Sequence, residues 1–122
     1  MATVGDVMTA NLVTVGAEKT LGEVARELRR HNIGSAIVVD DADQPLGIIT
    51  ERDLVESVAA SRNPDQGQAR SWMSEDLVTV ERSTALDEAR RLMVEHAIRH
   101  LPVTEGGAIV GVISIRDLIG ER

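Results

Sequence analysis

The sequence predicts an α/β fold built from two β-α-β-β-α half-domains in a pseudo-two-fold pair. Three observations predict it. Met8 to Leu54 and Met73 to Leu118 are the same pattern written twice. Within each copy, short β-branched runs alternate with one strongly periodic helical stretch. Both copies close on Gly-x-x-(Thr/Ser)-x-x-Asp: Gly47-Ile48-Ile49-Thr50-Glu51-Arg52-Asp53 and Gly111-Val112-Ile113-Ser114-Ile115-Arg116-Asp117. A half-domain of roughly 50 residues buries too little apolar surface to be stable alone, so the two copies are read as one folded pair.

The elements follow in order. Leu12-Val13-Thr14-Val15 and its counterpart Leu77-Val78-Thr79-Val80 are expected strands. A helix follows each. Thr20 and Glu23 form a capping box, and Leu21, Val24, Ala25 and Leu28 give its apolar stripe. Leu86, Ala89 and Met93 repeat that stripe. Ala36-Ile37-Val38-Val39 and Leu101-Pro102-Val103 are the second strands. Asp41 to Pro45 and Glu105-Gly106-Gly107 supply turn residues. Leu46 to Ile49 and Ile109 to Ile113 are the third strands, and a last helix begins at Thr50 or Ser114. Residues 1–58 and 72–122 are thus the two repeats. The polar stretch 59–71, with Pro64 and Gly67, is read as their linker.

Composition narrows function. The chain has 122 residues, 43% hydrophobic, with one Trp and no Phe, Tyr or Cys. Away from Trp72, a bound base would sit among aliphatic side chains and be read by backbone groups. A net charge of −7 opposes a nucleic acid backbone, whose binding rests on phosphate neutralisation. Lack of Cys excludes disulfides and thiolate chemistry and argues against structural zinc. No apolar run reaches the ~20 residues of a membrane span, and no signal-peptide core is present. A soluble, cytoplasmic protein without room for a separate effector domain is expected. Catalysis finds no Ser-His-Asp or metal-ligand cluster to carry it.

The closing motif has two readings. In the first, Thr50 with Asp53 and Ser114 with Asp117 are helix caps. In the second, the hydroxyl donates to a phosphate at a helix start, and the Asp accepts from ribose hydroxyls. Gly47 and Gly111 would admit a backbone or a ligand at close range. Arg52 and Arg116 beside the Asp could pair with phosphate, and the Asp-Arg pairs are expected to form salt bridges with or without ligand. Duplication of the whole set favours the ligand. Elsewhere the plain readings are preferred. His31 and His96 sit at helix ends, Trp72 packs the linker, and Met8, Met73 and Met93 fill the core.

With Val4-Gly5-Asp6-Val7-Met8-Thr9 at the start and Ile98-Arg99-His100-Leu101-Pro102-Val103 in the second copy, the chain resembles a tandem cystathionine-β-synthase (CBS) domain pair, a Bateman module. The resemblance implies two clefts between the halves, binding AMP, ADP, ATP, S-adenosylmethionine or NAD-type molecules. It places ribose on Asp53 and Asp117 and phosphate on Thr50 and Ser114. It lines the Asp53 cleft with Leu77, Val78, Thr79, Ile98, Arg99 and His100. The Asp117 cleft is lined with Leu12, Val13, Thr14, Ile33, Gly34, Ser35 and Ala36. Arg99 and His100 stand where the family places phosphate-reaching residues, and Gly34-Ser35 stand there in the first copy. The Asp53 cleft is therefore expected to be the better nucleotide site. The Asp117 cleft is expected to take a less charged adenosyl ligand or to share one through Arg116. A homodimer of modules, built on apolar positions such as Leu54, Val55, Val58, Leu118 and Ile119, and an unidentified protein target complete the expectation. The competing reading is an interaction or assembly module with empty clefts and the motifs serving as caps.

Overall fold

A computed structural model describes residues 2–60 and 62–120. Met1 of the first repeat, Ser61 of the expected linker and the two C-terminal residues of the second repeat lie outside them. The elements are α1 (Val4–Val7), β1 (Thr14–Gly16), α2 (Leu21–His31), β2 (Ser35–Val39), β3 (Pro45–Thr50) and α3 (Glu51–Ala59). They continue with α4 (Ala69–Trp72), β4 (Val80–Glu81), α5 (Leu86–His96), β5 (His100–Glu105), β6 (Ala108–Ser114) and α6 (Ile115–Leu118). The β-α-β-β-α order expected of each repeat is present twice.

Two compact units divide the chain: residues 13–76, and residues 1–12 together with 77–122. In the first, β2 is the central strand, parallel to β1 and antiparallel to β3. Every residue of β2 is buried, as expected of a strand covered on both faces. Leu21, Val24 and Leu28 of α2 join Val15, Ala36, Val38 and Ile49 in one aliphatic core. The Thr20 hydroxyl accepts the Glu23 amide at 3.2 Å, and the Glu23 carboxylate accepts the Thr20 amide at 3.0 Å. Asn32 ends α2 in the left-handed conformation, which Asn tolerates better than most residues. The second unit repeats the sheet as β4-β5-β6 over Val80, Ala89, Met93, Leu101, Val103 and Ile113. Its β5–β6 hairpin turns through Gly106 and Gly107, both at positive φ, the pair of angles a type I′ turn requires.

Several expectations shift. The ladder of β1 begins at Thr14 and that of β4 at Val80, so Leu12-Val13 and Leu77 to Thr79 precede the sheet. Their apolar side chains serve packing: Val13 and Val78 join the two cores. Ala25 is exposed, because Leu21, Val24 and Leu28 set a narrow stripe and Ala25 lies at its margin. Pro45 belongs to β3 and Glu105 to β5.

The units do not follow the repeats at their openings. Val4 is fully buried in the core of the second unit, where its amide donates to the Thr84 carbonyl at 2.8 Å. Ala69, Trp72 and Met73 pack into the core of the first. Residues 64–70 are held to the start of α2: the amides of Gly22 and Leu21 donate to the carbonyls of Pro64 and Gly67, both at 2.9 Å. Each compact unit thus takes the opening segment of the other repeat. No helix among the described residues is long and apolar enough to cross a membrane.

Candidate functional site

The end of β3 and the start of α3 meet at Thr50, in extended backbone. The chain there closes a reciprocal box. Both the Thr50 amide (2.8 Å) and the Thr50 hydroxyl (3.2 Å) donate to Oδ2 of Asp53, and the Asp53 amide donates back to the Thr50 hydroxyl at 3.4 Å. Oδ2 takes both donors. Oδ1 receives no hydrogen bond from the described residues. Burial pushes the Asp53 carboxyl above its ordinary value of 3.8, outweighing the hydrogen bonds from Thr50 that pull it down. Nearby Glu56 pushes the same way. This half-buried carboxylate has one oxygen satisfied and the other open to a donor.

The second copy is built alike. The Ser114 amide (2.9 Å) and hydroxyl (3.3 Å) both donate to Oδ2 of Asp117. Asp117 is more deeply set than Asp53, at 8% exposure. The helix it opens, α6, spans only four residues.

Each unit gathers its own residues at one end of its sheet. In the first, Ser35 lies opposite Thr50 and Ala36 opposite Ile49. The Glu51 amide donates to the Gly34 carbonyl at 3.0 Å, and the Val13 carbonyl accepts from Ile37 at 3.0 Å. Thr14 pairs with Ile37, and Ile33 packs on the core. In the second, His100 lies opposite Ser114, and the Ile115 amide donates to the Arg99 carbonyl at 2.9 Å. Val78 and Ile98 pack on that core, Leu77 is half-buried and Thr79 exposed. Leu12 is half-buried just before β1.

The arginines do not close on the aspartates. Arg52 is exposed and faces Glu56 at 3.9 Å, a weak surface contact. Arg116 is exposed and forms no ion pair with the described residues. An exposed guanidinium keeps its hydrated, extended freedom in preference to a half-buried partner.

The motif glycines admit backbone. A Cβ on Gly47 would stand 2.4 Å from the Ser74 carbonyl oxygen, and one on Gly111 would stand 2.5 Å from that of Thr9. Ile48 and Ser74 exchange two amide hydrogen bonds of 2.9 Å, and Thr9 and Val112 exchange a pair at 2.9 and 3.1 Å. Met73 and Met8 fill the space a side chain would need. The close approach of a backbone was one of the two expectations for these glycines; the segment that makes it was not foreseen. The signal was present, since Met8-Thr9 and Met73-Ser74 are equivalent in the repeat, but nothing in the pattern named the strand they join. No group of three or more His, Cys, Asp or Glu among the described residues is arranged to hold a metal.

The family model of the CBS domain matches residues 4–60 and 69–122. An uncharacterised protein of Methanopyrus kandleri is 40% identical over 118 residues, covering 95% of this chain; the chain spans 60% of that relative's length. A CBS-domain-containing protein from Agrobacterium tumefaciens has a structure matching with a TM-score of 0.90 at 36% identity, over 98% of this chain and 93% of that one. A CBS domain pair solved in complex with 5′-methylthioadenosine and S-adenosyl-L-methionine matches at 0.87 over 98% of each chain, at 22% identity, a likeness of fold.

Proposed function

This chain belongs to the CBS-domain family, and on that premise we propose that it is a regulatory module that binds an adenosyl nucleotide, AMP before the others, without chemistry. The observation that carries the proposal is the Asp53 carboxylate, half-buried with Oδ2 saturated and Oδ1 open. Such an oxygen calls for neutral hydroxyl donors, which the ribose supplies as a vicinal pair. The adenosyl compounds held by a protein of the same fold support the ligand class.

The Thr50 hydroxyl spends its proton on Asp53. Phosphate contact there requires that proton to turn outward, away from Asp53. Asp53 is proposed to act with Thr50 and Arg52 of its own motif. Asp117 is proposed to act with Ser114, with Arg116 near the phosphate.

A second reading rests on its own observation. Val55 and Val58 on α3 are 67% and 69% exposed, and Ile119 beyond α6 is 63% exposed. Exposed apolar side chains of this kind, present in each unit, suit self-association into a homodimer or contact with a protein target, with both motifs serving as caps.

A thermal-shift screen against AMP, ADP, ATP, S-adenosylmethionine, NAD and GMP tests the proposal. A ligand at ~100 times its dissociation constant adds ~2.7 kcal/mol, a rise of roughly 8 °C for a domain of this size. A rise with adenosyl compounds and none with GMP supports the sensor. No rise with any of them at millimolar concentration leaves the assembly reading.

A further inference from the structure

We propose that the segment Ala69–Ser74 braces the Thr50–Asp53 box and transmits its occupancy, so that ligand at Asp53 and seating of this segment are coupled. The inference rests on the ligand reading of that box and adds the element that senses it.

The box has one half on a strand and the other on a helix. Thr50 ends β3 and Asp53 lies in the first turn of α3. The segment spans both. Ser74 is bonded to Ile48 in both directions, two residues before Thr50, and α4 packs against α3. Behind it the segment is tied down as well. The amides of Ala69 and Arg70 donate to the carbonyls of Lys19 and Ala17, both at 2.9 Å, and Ala69 and Met73 enter the core.

Gly47 leaves no slack in the seat, because a Cβ would overlap the Ser74 carbonyl. A ligand that draws the Thr50 hydroxyl away from Asp53 alters the fit of β3 against α3. The element that touches both must follow. Coupling of this kind is reciprocal: what the ligand does to the seat, the seat does to the affinity.

Amide hydrogen exchange on the full chain tests it, with and without ligand. Without ligand, Gly47→Ala is expected to unseat Ser74 and to speed exchange of the Thr50 amide, which reports the box, by about tenfold relative to the core amide of Ile37, the factor for losing one hydrogen bond to a charged group. Ser74→Pro removes the Ser74 amide donor to Ile48 without placing a Cβ at Gly47, and serves if Gly47→Ala fails to fold. Faster exchange at Ile48 with Thr50 unchanged relative to Ile37 overturns the brace.

With AMP, the Ser74 and Ile48 amides are expected to slow more than Ile37, and the emission of Trp72 to shift. Uniform slowing with unchanged Trp72 emission overturns the transmission. Absence of any AMP-induced slowing or thermal shift is failure of the ligand reading, and the ligand-free arm still decides the brace.

Discussion

Asp53→Asn separates a cap from a ligand site. In the free protein the Asn side-chain oxygen can still accept the Thr50 amide that Asp53 accepts at 2.8 Å. What is lost is a negative charge in the first turn of α3, a loss of ~0.3–1 kcal/mol. Against it stands relief of a half-buried charge. The folded-state pKa of Asp53 is raised above its ordinary 3.8, so the folded protein holds that proton more tightly than the unfolded chain does. Ionised Asp53 therefore costs stability above its folded pKa, and the cost disappears as pH falls from there toward 3.8.

The two effects oppose one another, and Asp53→Asn is expected to melt within ~1 kcal/mol of the parent at neutral pH. Relative to Asp53→Asn, the parent should gain stability as pH falls toward 3.8. Asp53→Ala removes the acceptor of two hydrogen bonds and should cost ~1–3 kcal/mol. Binding follows a different order. Both variants lose the charged acceptor for ribose hydroxyls, each such bond being worth ~1.5–3 kcal/mol, so AMP affinity should fall by a factor of ~100 in both. Melting curves with and without AMP, from pH 4 to 8, read all of this. If Asp53→Asn keeps the full AMP-induced shift, or destabilises the free protein as much as Asp53→Ala, the carboxylate is a cap and the reasoning is wrong.

Three further substitutions probe the scaffold by thermal or urea melts. Gly111→Ala should cost ~2–4 kcal/mol, because its Cβ breaks the Thr9–Val112 pair and displaces Met8; an unchanged melt would show that the seat yields freely. Ala97→Gly should stabilise by ~0.5–1 kcal/mol, since Ala97 closes α5 at φ 54°, where a Cβ is strained. Ala85→Thr should add ~1 kcal/mol by giving α5 the cap that Thr20 gives α2, with Glu88 in place as the third residue; no gain would mean that Glu88 stays with Arg91, its present partner at 2.9 Å.

The order of elements was legible because its determinants are local. Thr20 with Glu23, the stripe of Leu21, Val24 and Leu28, and the Gly106-Gly107 turn act within a few residues and need no partner to be recognised. The Thr50–Asp53 and Ser114–Asp117 boxes were legible for the same reason. What was hidden depends on distant chain. Leu12 and Leu77 are apolar yet precede their ladders, because apolar character marks burial and not hydrogen bonding. Val4 reports that it is buried, and nothing in its neighbourhood says it joins the core around Met93 and Leu101. The unequal burial of Asp53 and Asp117 is likewise a consequence of tertiary packing on two heptapeptides that share the same motif.

The seat and the box together absorb most of the closing motif. Gly47 serves the Ser74 carbonyl, and the Thr50 hydroxyl serves Asp53. What remains for a ligand in this motif is chiefly Oδ1 of Asp53, an acceptor with negative charge. It repels a bare anion and selects a molecule that presents hydroxyl hydrogens. Inorganic phosphate should therefore leave the melting temperature unchanged, and adenosine should raise it even without a phosphate. Loss of one ribose hydroxyl should be felt: 2′-deoxy-AMP is expected to bind ~10- to 100-fold more weakly than AMP, the range for one hydrogen bond to a charged acceptor. Calorimetric titration of the two nucleotides measures that ratio. Equal affinities would mean that the ribose does not rest on the carboxylate, and the case for a nucleotide at this motif would fall with it.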